Sequence, residues 1–357
     1  MRHRPRAAQP PSFMGTQIVR EALTVTVERE DRELHQATRP FAEQSSALSW
    51  WHVGSTFALL ICALAAAAVA SWWPVRLAAS ILGMLLLVRT FILYHDFMHG
   101  SILPGSKLAR AVFYVYAAVN LTPPRSWRDS HNFHHANVGR IAGSNVGAFP
   151  LMSAEMWRTA SRRERLRYRV TRHPVTILFA YLTIFLGSVT LAPLLRRPSR
   201  HWDSALALLA HGTAIAALWL IGGFDAAFFA LLLPMAMAGA LGGYLFYAQH
   251  SFPGMRILPE AEWTVYRASL VSSSYLKLGA VLRWFSGNIG LHHVHHLNSL
   301  IPFYRLPEAM AAIPELQHPS ITTLTPRAIA ACFRANLWDD ASGRMIDYRE
   351  AGLSRAR

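Results

Sequence analysis

The chain has 357 residues, 52% of them hydrophobic and only 15% charged, and its 35 Lys and Arg outweigh 20 Asp and Glu to give a formal charge of +15. This balance excludes an ordinary soluble globular domain, and the two cysteines, Cys62 and Cys332, exclude a disulfide framework and any cysteine-based iron–sulfur or zinc motif. Lys107 and Lys277 are the only lysines. No nucleic-acid motif accompanies the arginines, which crowd beside apolar runs and read as topogenic.

Residues 1–49 are basic, proline-rich and polar, without the apolar core of a secretory signal. They are expected to form a cytoplasmic tail in which Leu23–Val27, an alternating stretch, is either a short strand or nothing. The apolar run Val53–Ala70 follows, close to the roughly 20 residues that a bilayer crossing needs. Trp50-Trp51 and Trp72-Trp73 flank it at interfacial positions. Pro74 turns the chain into a second run, Val75–Tyr94, so the two form a hairpin; Arg89 near its end either snorkels or faces protein. Leu108–Leu121 carries Arg110 and is expected to lie along the interface.

Three more apolar runs follow: Val175–Leu195, Ala205–Ile221 and Ala226–Ala248. Arginines from Arg158 to Arg172 precede the first, and Arg196, Arg197 and Arg200 follow it, so the positive-inside tendency puts both its ends in the cytoplasm. It is expected to be re-entrant or interfacial. The other two are joined by Gly222–Asp225, which holds no cation, and form a second hairpin. The fold expected is an all-α integral membrane protein: four transmembrane helices in two hairpins, a re-entrant or interfacial helix, and a cytoplasmic helical cap. The boundaries expected are an N-terminal tail at 1–49, a membrane domain at 50–314 and a C-terminal cytoplasmic tail at 315–357.

Three histidine clusters stand beside these runs: His95-Asp-Phe-Met-His99, His131-Asn-Phe-His134-His135 and His292-His293-Val-His295-His296. Helical residues three and four apart share a face, which groups His95 with His99, His131 with His134 and His135, and His292 with His295 and His296. His293 is rotated off that face. With His250 the candidate ligand set has nine members. Zinc takes about four ligands and octahedral iron about six, so two ions share the set. One site for all clusters also requires an even number of crossings between His135 and His292, which the two-hairpin plan satisfies.

A neutral, nitrogen-rich shell suits a transition metal such as iron, and a membrane location points to lipid chains as substrate. An unactivated methylene has no acidic proton, so side-chain bases cannot begin chemistry there; oxygen activation by non-haem iron can. Soluble helical di-iron sites rely on Glu and Glu-x-x-His ligands, whereas these clusters hold histidine alone. The second imidazole nitrogens need acceptors, for which Asp96, Asp129, Asn132, Asn288 and Asn298 are near in sequence, with surface solvation as each one's alternative role. Trp127 could cover the site or anchor at the interface.

The order and spacing of HDFMH, HNFHH and HHVHH resemble the membrane-bound fatty acid desaturase family, in particular its bacterial acyl-lipid and omega-6 (delta-12)-like branch. Thr122-Pro-Pro-Arg-Ser-Trp127, Tyr247-Ala-Gln-His250, Gly287-Asn-Ile-Gly290 and Ile301-Pro-Phe-Tyr304 agree with it, and the likeness spans about Trp50 to Pro314. It implies two iron ions on His95, His99, His131, His134, His135, His250, His292, His295 and His296, with O2 as co-substrate and a cis double bond as product. The family's smaller residue inside the first box is replaced here by Phe97-Met98, which leaves the double-bond position open. His173-Pro174-Val175 lacks the glycines of a fused haem domain, so the resemblance implies an external donor, a ferredoxin or rubredoxin with its reductase. It further implies a bacterial inner membrane protein whose active site and termini face the cytoplasm. Hydroxylation and oxidative decarboxylation use related scaffolds. A metal transporter is the alternative from another class, although such a protein would place its ionisable residues at mid-span.

Overall fold

The computed structural model describes residues 29 and 31–353, and Leu23–Val27 lies outside them. Helix α1 (Ser46–Val69) begins where the Ser45 side chain accepts a hydrogen bond from the Leu48 N–H, and ends at Ala70, just before helix α2 (Trp73–His99) with Pro74 in its first turn. Proline is well placed there, where its missing N–H has no helical partner to lose. Trp51, Trp72 and Trp73 are exposed near the ends of this hairpin. Gly100, with φ +81°, ends α2 immediately after His99, a left-handed geometry that glycine adopts at little cost.

Helix α3 (Lys107–Val119) has 13 residues, about 20 Å of helix and too short to cross a core of about 30 Å. It buries Ala109, Phe113, Tyr116 and Ala117 and leaves Leu108 and Val115 exposed. The Tyr116 hydroxyl donates to the Leu87 carbonyl, which fixes α3 against α2. Helix α4 (Pro124–Ala136) follows after a turn through Leu121 and Pro123.

Among the described residues, three helices are long and apolar enough to cross a membrane: Ser46–Val69, Trp73–His99 and the continuous stretch Trp202–His250. The third has 49 residues, about 73 Å if straight, and it is not straight. Gly222 and Gly223 leave helical geometry, Gly223 with φ +70°, and divide helix α5 (Trp202–Ala227) near its end. The chain folds back there: Tyr181 contacts His211 on one arm and packs under Gly239 on the other. A π-helical turn at Phe228–Leu232 leads into helix α6 (Leu233–His250). The Arg76–Asp225 ion pair, at 3.5 Å, brings the Gly222-Gly223 turn beside the turn between α1 and α2. His99 and His250 therefore lie at the opposite, shared end of the two hairpins.

The segment Pro174–Arg196 is helical apart from a turn at Phe179, with a π-helical middle at Tyr181–Leu191, and packs on α6, where Gly239 and Gly243 admit Tyr181 and Ala180. Both its flanks reach the histidine end. Arg172 donates to the Tyr247 hydroxyl and Ser251, and Arg200 pairs with Asp129 at 2.7 Å.

Arg89 is buried inside α2 and faces protein. It donates to Thr56 Oγ1 at 3.1 Å and to the Trp284 carbonyl, and its guanidinium lies 3.8 Å from the Trp284 ring centroid. The flanking segments pack on the body: Leu34 and Leu316 join the main core, and Tyr275–Leu276 pairs in parallel with Ile321–Thr322.

Candidate metal centre

The eight histidines singled out by spacing and His250 come together at the shared end of the hairpins, in two groups. His95, His99, His131, His135 and His295 form one; His134, His250, His292 and His296 form the other. The division follows helical geometry. His131 and His135, four apart, join the same group, as do His292 and His296, while the consecutive pairs His134/His135 and His295/His296 are split between groups. Box two and box three each serve both groups. The stacked rings of His135 and His296, 4.2 Å between centroids, tie the groups together.

Each group converges through Nε2. His131 Nε2 lies 3.0 Å from that of His95, 3.1 Å from that of His99 and 3.1 Å from that of His135. In the second group His250 and His292 are 2.8 Å apart, His134 and His250 3.0 Å, and His292 and His296 3.1 Å. A neutral imidazole nitrogen either donates or accepts one proton, so such sets cannot satisfy one another by hydrogen bonds. A cation at the centre can satisfy them all.

Burial pushes His131, His134, His135, His292, His295 and His296 well below the ordinary imidazole value, which keeps them neutral and able to bind a metal. His293 stays outside both groups. Its Nε2 sits 3.1 Å from the Leu316 carbonyl and 3.3 Å from Met310 Sδ.

Of the acceptors expected from sequence, Asp96 reaches a clustered ring, with Oδ1 3.2 Å from His95 Nδ1. The others serve elsewhere. Asp129 pairs with Arg200, Asn132 is exposed, Asn288 donates to the Phe303 carbonyl, and Asn298 donates to Thr38. Sequence reasoning missed the Ser272 carbonyl, 3.2 Å from His250 Nδ1, because a backbone acceptor leaves no residue-type signal. Trp127 is buried and stacks on His131, 4.3 Å between ring centroids, so it covers the first group. Phe97 stacks on Phe113 at 5.0 Å, on the same helix end as His95 and His99.

A family model described as fatty acid desaturase matches residues 70–327. The chain is 28% identical over 274 residues to a fatty acid desaturase of Bacillus subtilis, covering 76% of this chain and 77% of that one. It is 25% identical over 231 residues to the sn-1 oleoyl-lipid 12-desaturase of Synechocystis sp., covering 64% and 65% respectively. To the Delta(12) fatty acid dehydrogenase of Crepis alpina it is 24% identical over 253 residues, 64% of each chain. With the family match extending over most of its length and the histidine clusters inside it, the chain belongs to the fatty acid desaturase family and is an oxidoreductase acting on fatty acids.

Proposed function

We propose that this chain is an O2-dependent di-iron desaturase that introduces a cis double bond into an acyl chain of a membrane lipid. The observation that carries the proposal is the pair of imidazole groups with Nε2 atoms converging at one end of two apolar hairpins. His95, His99, His131, His135 and His295 would hold one iron; His134, His250, His292 and His296 would hold the other. The relative named as an sn-1 oleoyl-lipid 12-desaturase supports a lipid-linked substrate.

The bound ions supply oxygen activation strong enough to take hydrogen from an unactivated methylene. O2 accepts four electrons in becoming two waters. The two carbons that lose hydrogen give two electrons and two protons; a ferredoxin- or rubredoxin-type protein with its reductase gives the other two, and solvent the remaining protons. This chain's own residues hold and shelter the centre. Burial keeps the imidazoles neutral, Asp96 orients His95 through Nδ1, the Ser272 carbonyl does the same for His250, and Trp127 shields His131 from water.

The broken Trp202–His250 helix supports four crossings in two hairpins, with Pro174–Arg196 re-entrant or interfacial and a helical cap over the site. Arginines at both flanks of that segment support a bacterial inner-membrane orientation with the centre and both termini cytoplasmic. In a transporter, ionisable residues are expected at the bilayer midplane, whereas the clusters lie at helix ends or beyond. Metal analysis of the purified protein tests the proposal: two irons per chain are expected, and a single zinc would contradict it.

A further inference from the structure

The geometry points to the outer face of α4 as the docking surface for an acidic electron-transfer protein. The inference rests on the di-iron reading, which needs two electrons from outside. Helix α4 turns Trp127, His131 and His134 inward and presents Arg125, Arg128, Asp129, Asn132 and Phe133 outward, all exposed. Within two turns of a clustered histidine no other helix that carries one exposes a side chain: the end of α2 from Gly83, the end of α6, and the whole of His292–Leu297 are buried or half-buried. A docked protein on α4 is therefore separated from the imidazoles by one helix, about 10 Å across.

The face has the anatomy of a transient interface. Phe133, 39% exposed, and Val146, 37% exposed, form an apolar centre. The loop that carries Val146 is held close to the helix: Phe133 packs over Gly143, and a Cβ on Gly147, which has φ +68°, would lie 2.1 Å from the Ser130 carbonyl oxygen. Arg125 and Arg128 stand on the same exposed face, Arg200 lies beside them with its carbonyl 3.3 Å from Arg125 Nη1, and the exposed Arg196 and Arg197 shortly precede it in the chain. The acids nearby are engaged, Asp129 by Arg200 and Asp203 by the Arg125 N–H at 2.8 Å. An arginine rim around an aromatic centre matches a partner with an acidic ring around its redox group, and such charge complementarity steers association more than it adds affinity. Anionic head groups would engage the same arginines, but only an electron donor gains from lying one helix away from the imidazoles.

The test uses the iron-loaded protein in detergent, with an acidic plant-type ferredoxin and its reductase as donor. Arg128→Glu/Arg197→Glu, with the milder Arg197→Glu alone and Phe133→Ala beside it, is compared with wild type by ferredoxin titration at several salt concentrations. Iron content and a single turnover after chemical reduction are measured in parallel. The double variant is expected to raise the KM for ferredoxin about tenfold or more and to flatten its salt dependence, with iron content and single turnover unchanged. Single turnover intact with ferredoxin kinetics and salt dependence like wild type in every variant would overturn the docking surface alone. A charge reversal that changes only the dependence on added anionic lipid would overturn it too. A wild-type protein that holds no iron and gives no turnover even when chemically reduced would instead sink the di-iron reading beneath it.

Discussion

Asp96 accepts a hydrogen bond from the Phe303 backbone N–H at 2.7 Å across 207 residues of sequence, while its other oxygen lies 3.2 Å from Nδ1 of His95. One buried carboxylate thus ties the first histidine box to the Ile301–Tyr304 segment that follows the third. An imidazole that binds metal through Nε2 carries its proton on Nδ1, and Asp96 is placed to accept it. Asp96→Asn can keep the Phe303 bond with its amide oxygen, but then turns an NH2 towards His95. Iron affinity or activity is expected to fall about 10- to 100-fold, measured as iron retained after dialysis against a graded chelator. Retention equal to wild type would show that Asp96 serves only the fold.

His293 and His296 stand three residues apart on one buried helix and should respond oppositely to alanine. His296 Nε2 lies 3.1 Å from that of His292, inside the second group, whereas His293 faces the Leu316 carbonyl. His296→Ala is expected to lose about one iron per chain. His293→Ala should keep both irons and lose roughly 1–3 kcal/mol of stability through the carbonyl left without a partner. Metal analysis paired with thermal unfolding separates the two. Iron loss in His293→Ala with His296→Ala unaffected would reverse the assignment.

Burial depresses the protonation of His131, His134, His135, His292, His295 and His296 in the folded chain, while the unfolded chain takes up these protons near pH 6.5. Below that pH the unfolded state binds more protons than the folded one, so stability is complete above about 6.5 and declines as pH falls towards the depressed folded values. Protons also compete with the metal for the same nitrogens. Iron retention and melting temperature should be flat from about pH 7 to 8 and fall together below about pH 6. Retention that improves on acidification would contradict neutral imidazole ligation.

The candidate centre was legible because helical periodicity is local. The spacing of His131, His134 and His135, and the off-face place of His293, follow from 100° per residue and need no knowledge of the rest of the chain. The division into groups of five and four was not legible, since it depends on how α2, α4, α6 and His292–Leu297 meet. Partners distant in sequence were equally hidden. Asp129, near in sequence to the second box, is held by Arg200, and His250 turns to the Ser272 carbonyl. In the fold, charge on both flanks singled out Pro174–Arg196 as a run apart, but nothing in its composition announced a π-helical middle, which accompanies its close packing on Gly239 and Gly243. Arg89 was ambiguous because its partners, Thr56 and the Trp284 carbonyl, lie on other elements.

The most direct test of the central claim is the fatty acid profile of a host lacking polyunsaturated lipids, expressing this protein or its His134→Ala variant, by mass spectrometry that locates double bonds. A new cis-unsaturated species that appears with the wild-type chain and disappears with His134→Ala is the result expected. Hydroxylated or chain-shortened products from an iron-loaded protein supplied with a working donor, with no new double bond, would contradict it.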